Sequence, residues 1–261
     1  MKVGYIQTNP IFGNKERNFK EIETLSANLR ADLIVLPELF ATGYTFKSKE
    51  EAYSLAESIN GITSQFLIQL AQDKEAIVVG GFAEKEGEKL FNSAMIVSEN
   101  GVIGTYRKLH LYFKEKLWFN PGNKPSRLYN VKEVNIGIMI CFDWIFPETV
   151  RTLALLGADI IAHPSNLVLP YCQKAMVTRC LENRVYAITA NRIGQEIRGK
   201  DIFEFTGSSQ ITSYDGTVLS SAPSDQECIG FIEIDANLAR DKKLNVYNDL
   251  LGDRRKEFYL N

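Results

Sequence analysis

Short apolar runs alternate along this chain with segments whose apolar residues recur every three to four positions, the signature of strands interleaved with helices. Residues 2–8 read as a strand. Asn14 is placed to cap a helix in which Ile22, Leu25 and Leu29 share one face. Leu33-Ile-Val-Leu36 is apolar throughout and short, as a strand buried on both faces would be. A helix is predicted around 63–74, with Phe66, Leu67, Leu70 and Ala71 on one side, then a strand over 76–82. Segments 91–98 and 102–107 flank Asn100-Gly101, a strong hairpin signal. The run from Asn135 to Cys141 reads as a buried strand that stops on a thiol, before a helix over about 148–157 opened by Pro147 and Glu148. A strand at 159–163 follows, then a helix over 173–185 with Val177, Cys180, Leu181 and Val185 in register. Strands at 186–191, 209–214, 217–220 and 228–234, with a turn at Asp215-Gly216, lead to a polar and aromatic tail over 235–261.

Mixed strands with outer helices allow two layouts: one open sheet with helices on both sides, or two sheets face to face, each covered by helices. Periodicity does not separate them. The 261 residues, 45% apolar and 24% charged, contain ample material for a core. A net charge of −2 leaves no electrostatic footprint for nucleic acid or an anionic membrane. The short basic run Arg254-Arg255-Lys256 stands beside Glu257 and reads as a solvated or interface segment. No apolar stretch approaches the ~20 residues of a membrane span. The first residues are too short and too alternating a segment for a signal peptide. Cys141, Cys172, Cys180 and Cys228 form no Cys-x-x-Cys pair and suggest no disulfide framework, which fits a reducing cytoplasm. With only His110 and His163, each isolated, no metal site is expected.

Three predicted strand ends carry reactive groups: a carboxylate at Glu38, an amine at Lys108 and a thiol at Cys141. In layered α/β folds, sites gather at strand ends and the loops after them. A thiol facing the N-terminus of the next helix is where a thiolate is electrostatically favoured. Brought together, the three groups form an acyl-transfer set. Glu38 is suited to be general base, Cys141 nucleophile, and Lys108 with the Phe142 N–H the oxyanion donors. Singly, each has a plainer reading: a capping carboxylate, a surface lysine, a core cysteine.

The motifs resemble those of the nitrilase superfamily, the carbon–nitrogen hydrolases. They are Leu36-Pro37-Glu38 with Thr42-Gly43-Tyr44; Tyr106-Arg107-Lys108-Leu109-His110-Leu111; Ile140-Cys141-Phe142-Asp143-Trp144 with Phe146-Pro147-Glu148; His163-Pro164-Ser165-Asn166; and Arg179 to Arg184. Glu38 and Lys108 are 70 residues apart, and Lys108 and Cys141 are 33 apart, both usual for the family. The resemblance runs from Lys2 to about Tyr259. It implies a single-domain, four-layer α-β-β-α sandwich of two mixed sheets, and a Glu38–Lys108–Cys141 triad. It also implies a second glutamate near the lysine, matched by Glu115, and no metal or organic cofactor.

A homodimer is implied as well, paired across the helix near the nucleophile and through the tail from about 235. Tyr44 and Trp144 are candidates for the pocket wall and Asn166 for substrate contact. His110 reads as structural, and His163 as packing or hydrogen-bonding near the site. Glu148, Arg151, Glu182 and Asn183 read as supports, and the other three cysteines as non-catalytic. Arg192 or Arg198 could serve an acidic substrate.

The resemblance implies hydrolysis of a small carboxamide or N-carbamoyl amine through a thioester, with release of ammonia. Cys-Phe-Asp-Trp after the strand, in place of Cys-Trp-Glu, and the short length favour an amidase or an N-carbamoyl amidase. An aliphatic nitrilase passing through a thioimidate is the alternative. An acyltransferase would be expected to carry membrane helices, and a dead binding module to lose one of the three groups.

Overall fold

The computed structural model describes residues 1–259. The first half holds β1 (Lys2–Gln7), α1 (Lys15–Ser26), β2 (Leu33–Val35), α2 (Lys49–Leu55), α3 (Ile62–Lys74), β3 (Ile77–Glu86), β4 (Lys89–Ser98), β5 (Gly101–Arg107) and the single turn α4 (Glu115–Trp118). Next come β6 (Leu128–Val131), β7 (Val134–Ile138), a 3-10 turn over Cys141–Ile145, α5 (Pro147–Leu156), β8 (Ile160–Pro164), α6 (Cys172–Asn183) and β9 (Tyr186–Ala190). A hairpin of β10 (Gln195–Arg198) and β11 (Asp201–Glu204) precedes β12 (Gln210–Thr212), β13 (Val218–Ser221) and β14 (Cys228–Glu233).

Two six-stranded sheets form, ordered β14-β1-β2-β3-β4-β5 and β13-β12-β9-β8-β7-β6. In the first, β1, β2 and β3 are parallel, while β14, β4 and β5 run antiparallel to their neighbours. In the second, β7, β8 and β9 are parallel, with antiparallel β6 on one edge and β12–β13 on the other. Of the two layouts open to the sequence, the face-to-face one holds.

The period of two in the strands decides which layer each side chain enters. Val3, Tyr5, Leu33, Val35, Ile77 and Val79 join the core that includes Ile136 and Ile138 of β7 and Ile188 of β9. Their alternates Ile6, Ile34 and Val78 pack with Ile22, Leu67 and Leu70 of α1 and α3. The continuous run at Leu33–Leu36 is therefore buried on both faces, as its composition predicts.

Several boundaries differ from the sequence reading. Leu29 is buried but follows the end of α1. The hairpin turns on Glu99-Asn100, with Gly101 already paired to Ser98. The strand before Cys141 ends at Ile138, so the thiol belongs to the 3-10 turn and not to the strand itself. On α6 the buried face is Cys172, Met176, Cys180 and Asn183, while Leu181 points outward. The tail adds two 3-10 turns, Ala236–Ala239 and Lys256–Phe258. Its last two residues lie outside the described residues. No helix among the described residues is long and apolar enough to cross a membrane.

Candidate active site

Glu38, Lys108 and Cys141 leave the ends of β2, β5 and β7, and packing the two sheets together brings them to one place. Lys108 Nζ lies 2.7 Å from Glu38 Oε1 and 2.8 Å from Glu115 Oε1. Lys108 and Glu38 are wholly buried and Glu115 nearly so. A lysine so enclosed would lose its proton to desolvation. Glu115 and Glu38 overcome that and hold the ammonium well above its ordinary range. Burial pushes Glu115 up to about 7, with Glu38 adding to it and Lys108 opposing it.

Glu38 divides its work between its two oxygens. Oε1 accepts from Lys108 and, at 2.6 Å, from Asn92 Nδ2. Oε2 has no hydrogen-bond partner among the described residues, so its lone pairs are open to a proton donor in the site. The backbone turn that carries Glu38 rests on β3: Gly81 N–H donates to Pro37 O at 3.1 Å. A Cβ on Gly81 would lie 2.5 Å from Glu38 Cα, so only glycine permits this approach.

Cys141 sits at φ +40°, in the left-handed region that a side chain other than glycine's rarely adopts. Four hydrogen bonds to the buried Asp143 hold the turn. Oδ2 accepts from Ile140 N and Tyr106 Oη, and Oδ1 from His110 N and Nδ1. The Cys141 carbonyl accepts from His163 Nε2 at 3.0 Å. That fixes the tautomer, so His163 Nδ1 accepts from the Thr189 hydroxyl at 3.1 Å. Arg179 of α6 donates to Trp144 O. The Phe142 N–H stands at the open N-terminal end of the 3-10 turn, where backbone donors lack intrahelical partners.

Burial and the Glu38 carboxylate push the Cys141 thiol up, against Lys108 and a hydrogen bond from the Asn166 backbone that favour the anion. Helix α5, whose N-terminus was expected to stabilise a thiolate, begins only at Pro147. Those opposed influences place a raised thiol close to a buried carboxylate, an arrangement suited to proton transfer between the two.

A narrow cleft opens at Cys141, lined by Tyr112, Phe142, Trp144, Asn166 and the run Leu167–Leu169. Among the described residues, neither side-chain polar atom of Asn166 has a hydrogen-bond partner. Among the described residues, no group of three or more His, Cys, Asp or Glu is arranged to hold a metal.

Residues 2–243 match the family model described as carbon-nitrogen hydrolase. The chain belongs to the carbon-nitrogen hydrolases. It is 47% identical over 263 residues to a nitrilase of Pyrococcus abyssi, covering 99% of both chains. It is 32% identical to an (R)-stereoselective amidase of a Pseudomonas species, over 93% of this chain and 85% of that one. The crystal structure of a carbon-nitrogen hydrolase from Helicobacter pylori G27 superposes with a TM-score of 0.90 at 26% identity, over 99% of this chain and 96% of the other. The α-β-β-α sandwich of the family is the fold described above.

Within this carbon-nitrogen hydrolase, Glu38, Lys108, Glu115 and Cys141 come together, and Phe142, Trp144 and Asn166 border the thiol. Tyr44 does not line that cleft. Its hydroxyl donates to Glu115 Oε1 at 2.7 Å, and its ring lines a second cleft with Phe113, Trp118 and Phe203. Arg192 is buried against Glu196, and Arg198 pairs with Glu51, so neither reaches the thiol's cleft. Arg151 donates to Glu182 O, binding α5 to α6. Cys172 and Cys180 are buried on α6, far up their ordinary range through desolvation. Asn92, Asp143 and Glu196 were not singled out from the sequence. Asp143 was visible inside the Cys-Phe-Asp-Trp motif, whereas Asn92 and Glu196 carry no local signal.

Proposed function

We propose that this chain is a cysteine-dependent hydrolase that releases ammonia from a small, uncharged nitrile, with the matching carboxamide as the second substrate class. The observation that carries the thiol chemistry is the buried Cys141 beside Glu38 and Lys108, with Glu38 Oε2 unpartnered. The cleft at Cys141 has no charged lining residue, which disfavours substrates with a charged tail, charged N-carbamoyl amines included. The 47% identity to a protein named nitrilase puts the nitrile first, reversing the order taken from the sequence. The amide reading keeps its support from the Cys-Phe-Asp-Trp motif and the amidase relative.

In this reading Glu38 takes the thiol proton as the sulfur attacks the nitrile carbon. The proton passes to nitrogen, giving a thioimidate. Water activated by Glu38 adds, ammonia leaves, and the thioester remains. A carboxamide reaches the same thioester in one displacement, its oxyanion held by Lys108 and the Phe142 N–H. A second water then frees the acid. Asn166 offers one donor and one acceptor to the bound substrate. The tail and outer faces of α5 and α6 are read as the contact with a second copy, and the free cysteines fit a reducing cytoplasm.

The test is ammonia release from matched short-chain nitriles and carboxamides, beside Cys141→Ala. Faster release from nitriles, abolished in the variant, is expected. Release from amides alone selects the second class. Release that survives Cys141→Ala defeats the mechanism.

A further inference from the structure

Tyr44 has its hydroxyl on the oxygen of Glu115 that also receives Lys108, and its backbone is held by a buried ion pair that the chemistry above does not use. We propose that Tyr44 is a positioning residue that sets how Glu115 holds Lys108, and that Glu196, paired with Arg192, fixes Tyr44 in place. The proposal rests on the reading of Lys108 and Glu38 as reacting groups.

The loop after Glu38 is built around one carboxylate. Glu196, on β10, accepts from Thr45 N at 2.7 Å and from Tyr44 N at 3.2 Å to each oxygen. Arg192 pairs with the same carboxylate and stacks its guanidinium 4.0 Å from the Phe205 ring centre. Gly43, at φ +78°, makes this possible, because a Cβ there would lie 2.8 Å from Glu196 Oε1. Phe203 and Phe205 meet the Tyr44 ring edge to face at 5.5 and 6.0 Å, which fixes the direction of the hydroxyl. The hairpin is tied down again where Lys114, next to Glu115, bonds Asp201 at 2.6 Å.

Tyr44 acts as a donor, since burial and the Glu115 charge push its phenol far up. Glu115 is faced by Lys108, Glu38, Cys141 and Tyr44, with the Tyr112 N–H on its other oxygen at 3.2 Å. Burial drives Glu115 up, and the Lys108 and Tyr44 hydrogen bonds hold it down. With the hydroxyl removed, Glu115 keeps its proton to higher pH. Lys108 then turns its full charge on Glu38, the proposed base.

The experiment is Tyr44→Phe, which keeps the ring packing, measured by ammonia release across pH. A drop in kcat on the order of tenfold is expected, the size of one hydrogen bond to a charged group. KM should stay near the wild-type value, and the acid limb should move up by about half a unit to one unit. Glu196→Gln should shift the limb the same way. An unmoved limb with unchanged kcat, or a raised KM at constant kcat, overturns the proposal. Alkylation of Cys141 by iodoacetamide across pH gives a readout that needs no substrate. If the wild type releases no ammonia, the functional reading fails, yet a displaced alkylation profile in Tyr44→Phe still supports the positioning role. A superimposable profile refutes it.

Discussion

Each buried titratable side chain of the candidate site sits among opposed forces, and the balance differs from residue to residue. Lys108 stays charged because two carboxylates outweigh its burial. Burial and Glu38 push the Cys141 thiol up, outweighing Lys108. Burial lowers His163 to about 4, outweighing the Cys141 carbonyl and the Asp143 charge that raise it. The neutral ring can then donate to Cys141 O while accepting from Thr189. This has a consequence for stability. Between pH 6.5 and about 4 the unfolded chain binds a proton at this histidine that the folded chain refuses. Stability from this residue is complete above the unfolded value and is lost as pH falls toward the folded one. The loss amounts to about 3 kcal/mol across the window. Urea midpoints at pH 7 and pH 4.5 should therefore differ less in His163→Asn than in the wild type, and equal differences would remove the histidine as the cause. At this scale the motifs carrying Glu38, Lys108 and Cys141 were legible because each is a short linear run. Their supports were not. Asn92 meets Glu38 across 54 residues and Tyr106 meets Asp143 across 37, distances over which no periodicity speaks.

The elements transmit that precision by backbone contact. Glu38 keeps its place because the turn after β2 lies directly on β3, with no side chain between them at Gly81. Gly81→Ala puts a methyl group into the Glu38 backbone and must push the carboxylate away from Lys108. Activity should fall by about 100-fold or more, as misplacement of a reacting group by ~1 Å does. Circular dichroism should still report a folded sheet. Retained activity would mean that the turn can relax without moving Glu38. Long apolar strands and the helices with a clear face were readable in the sequence. The missed elements lack a readable period, and α2, seven residues long, buries only Ala52. Among the described residues β10 and β11 pair only with each other, and Ile197 and Ile202 are exposed, so no burial pattern marks them. α4 is one turn long, too short for a helical period, and β6 is an edge strand of mixed polarity. Leu181 followed the predicted spacing yet lies outside, because spacing tells which residues share a face and not which neighbour covers it.

At the scale of the molecule, the two sheets repeat one plan: an antiparallel edge strand, three parallel strands, then two antiparallel strands. Glu38 and Lys108 come from one sheet and Cys141 from the other, so the site exists only when the halves are packed. Arg179 on α6 holds the carbonyl of Trp144, and the outward face of α6 carries Leu181, while α5 beside it exposes Leu155 and Leu156. The tail also exposes Val246 and Tyr247, at 86% and 89%, and Phe258. Apolar side chains gathered in this way on packed helices are the composition of an interface core. A second copy is the expected occupant, so the 29.5 kDa chain should sediment at twice that mass. Leu181→Glu places a charge in the proposed contact and should yield a folded monomer. Because α6 also braces the nucleophile turn, that monomer should lose ammonia release in step with the dimer. A wild type that sediments as a monomer would sink the pairing. A Leu181→Glu monomer with full activity would keep the pairing but free the nucleophile turn from it.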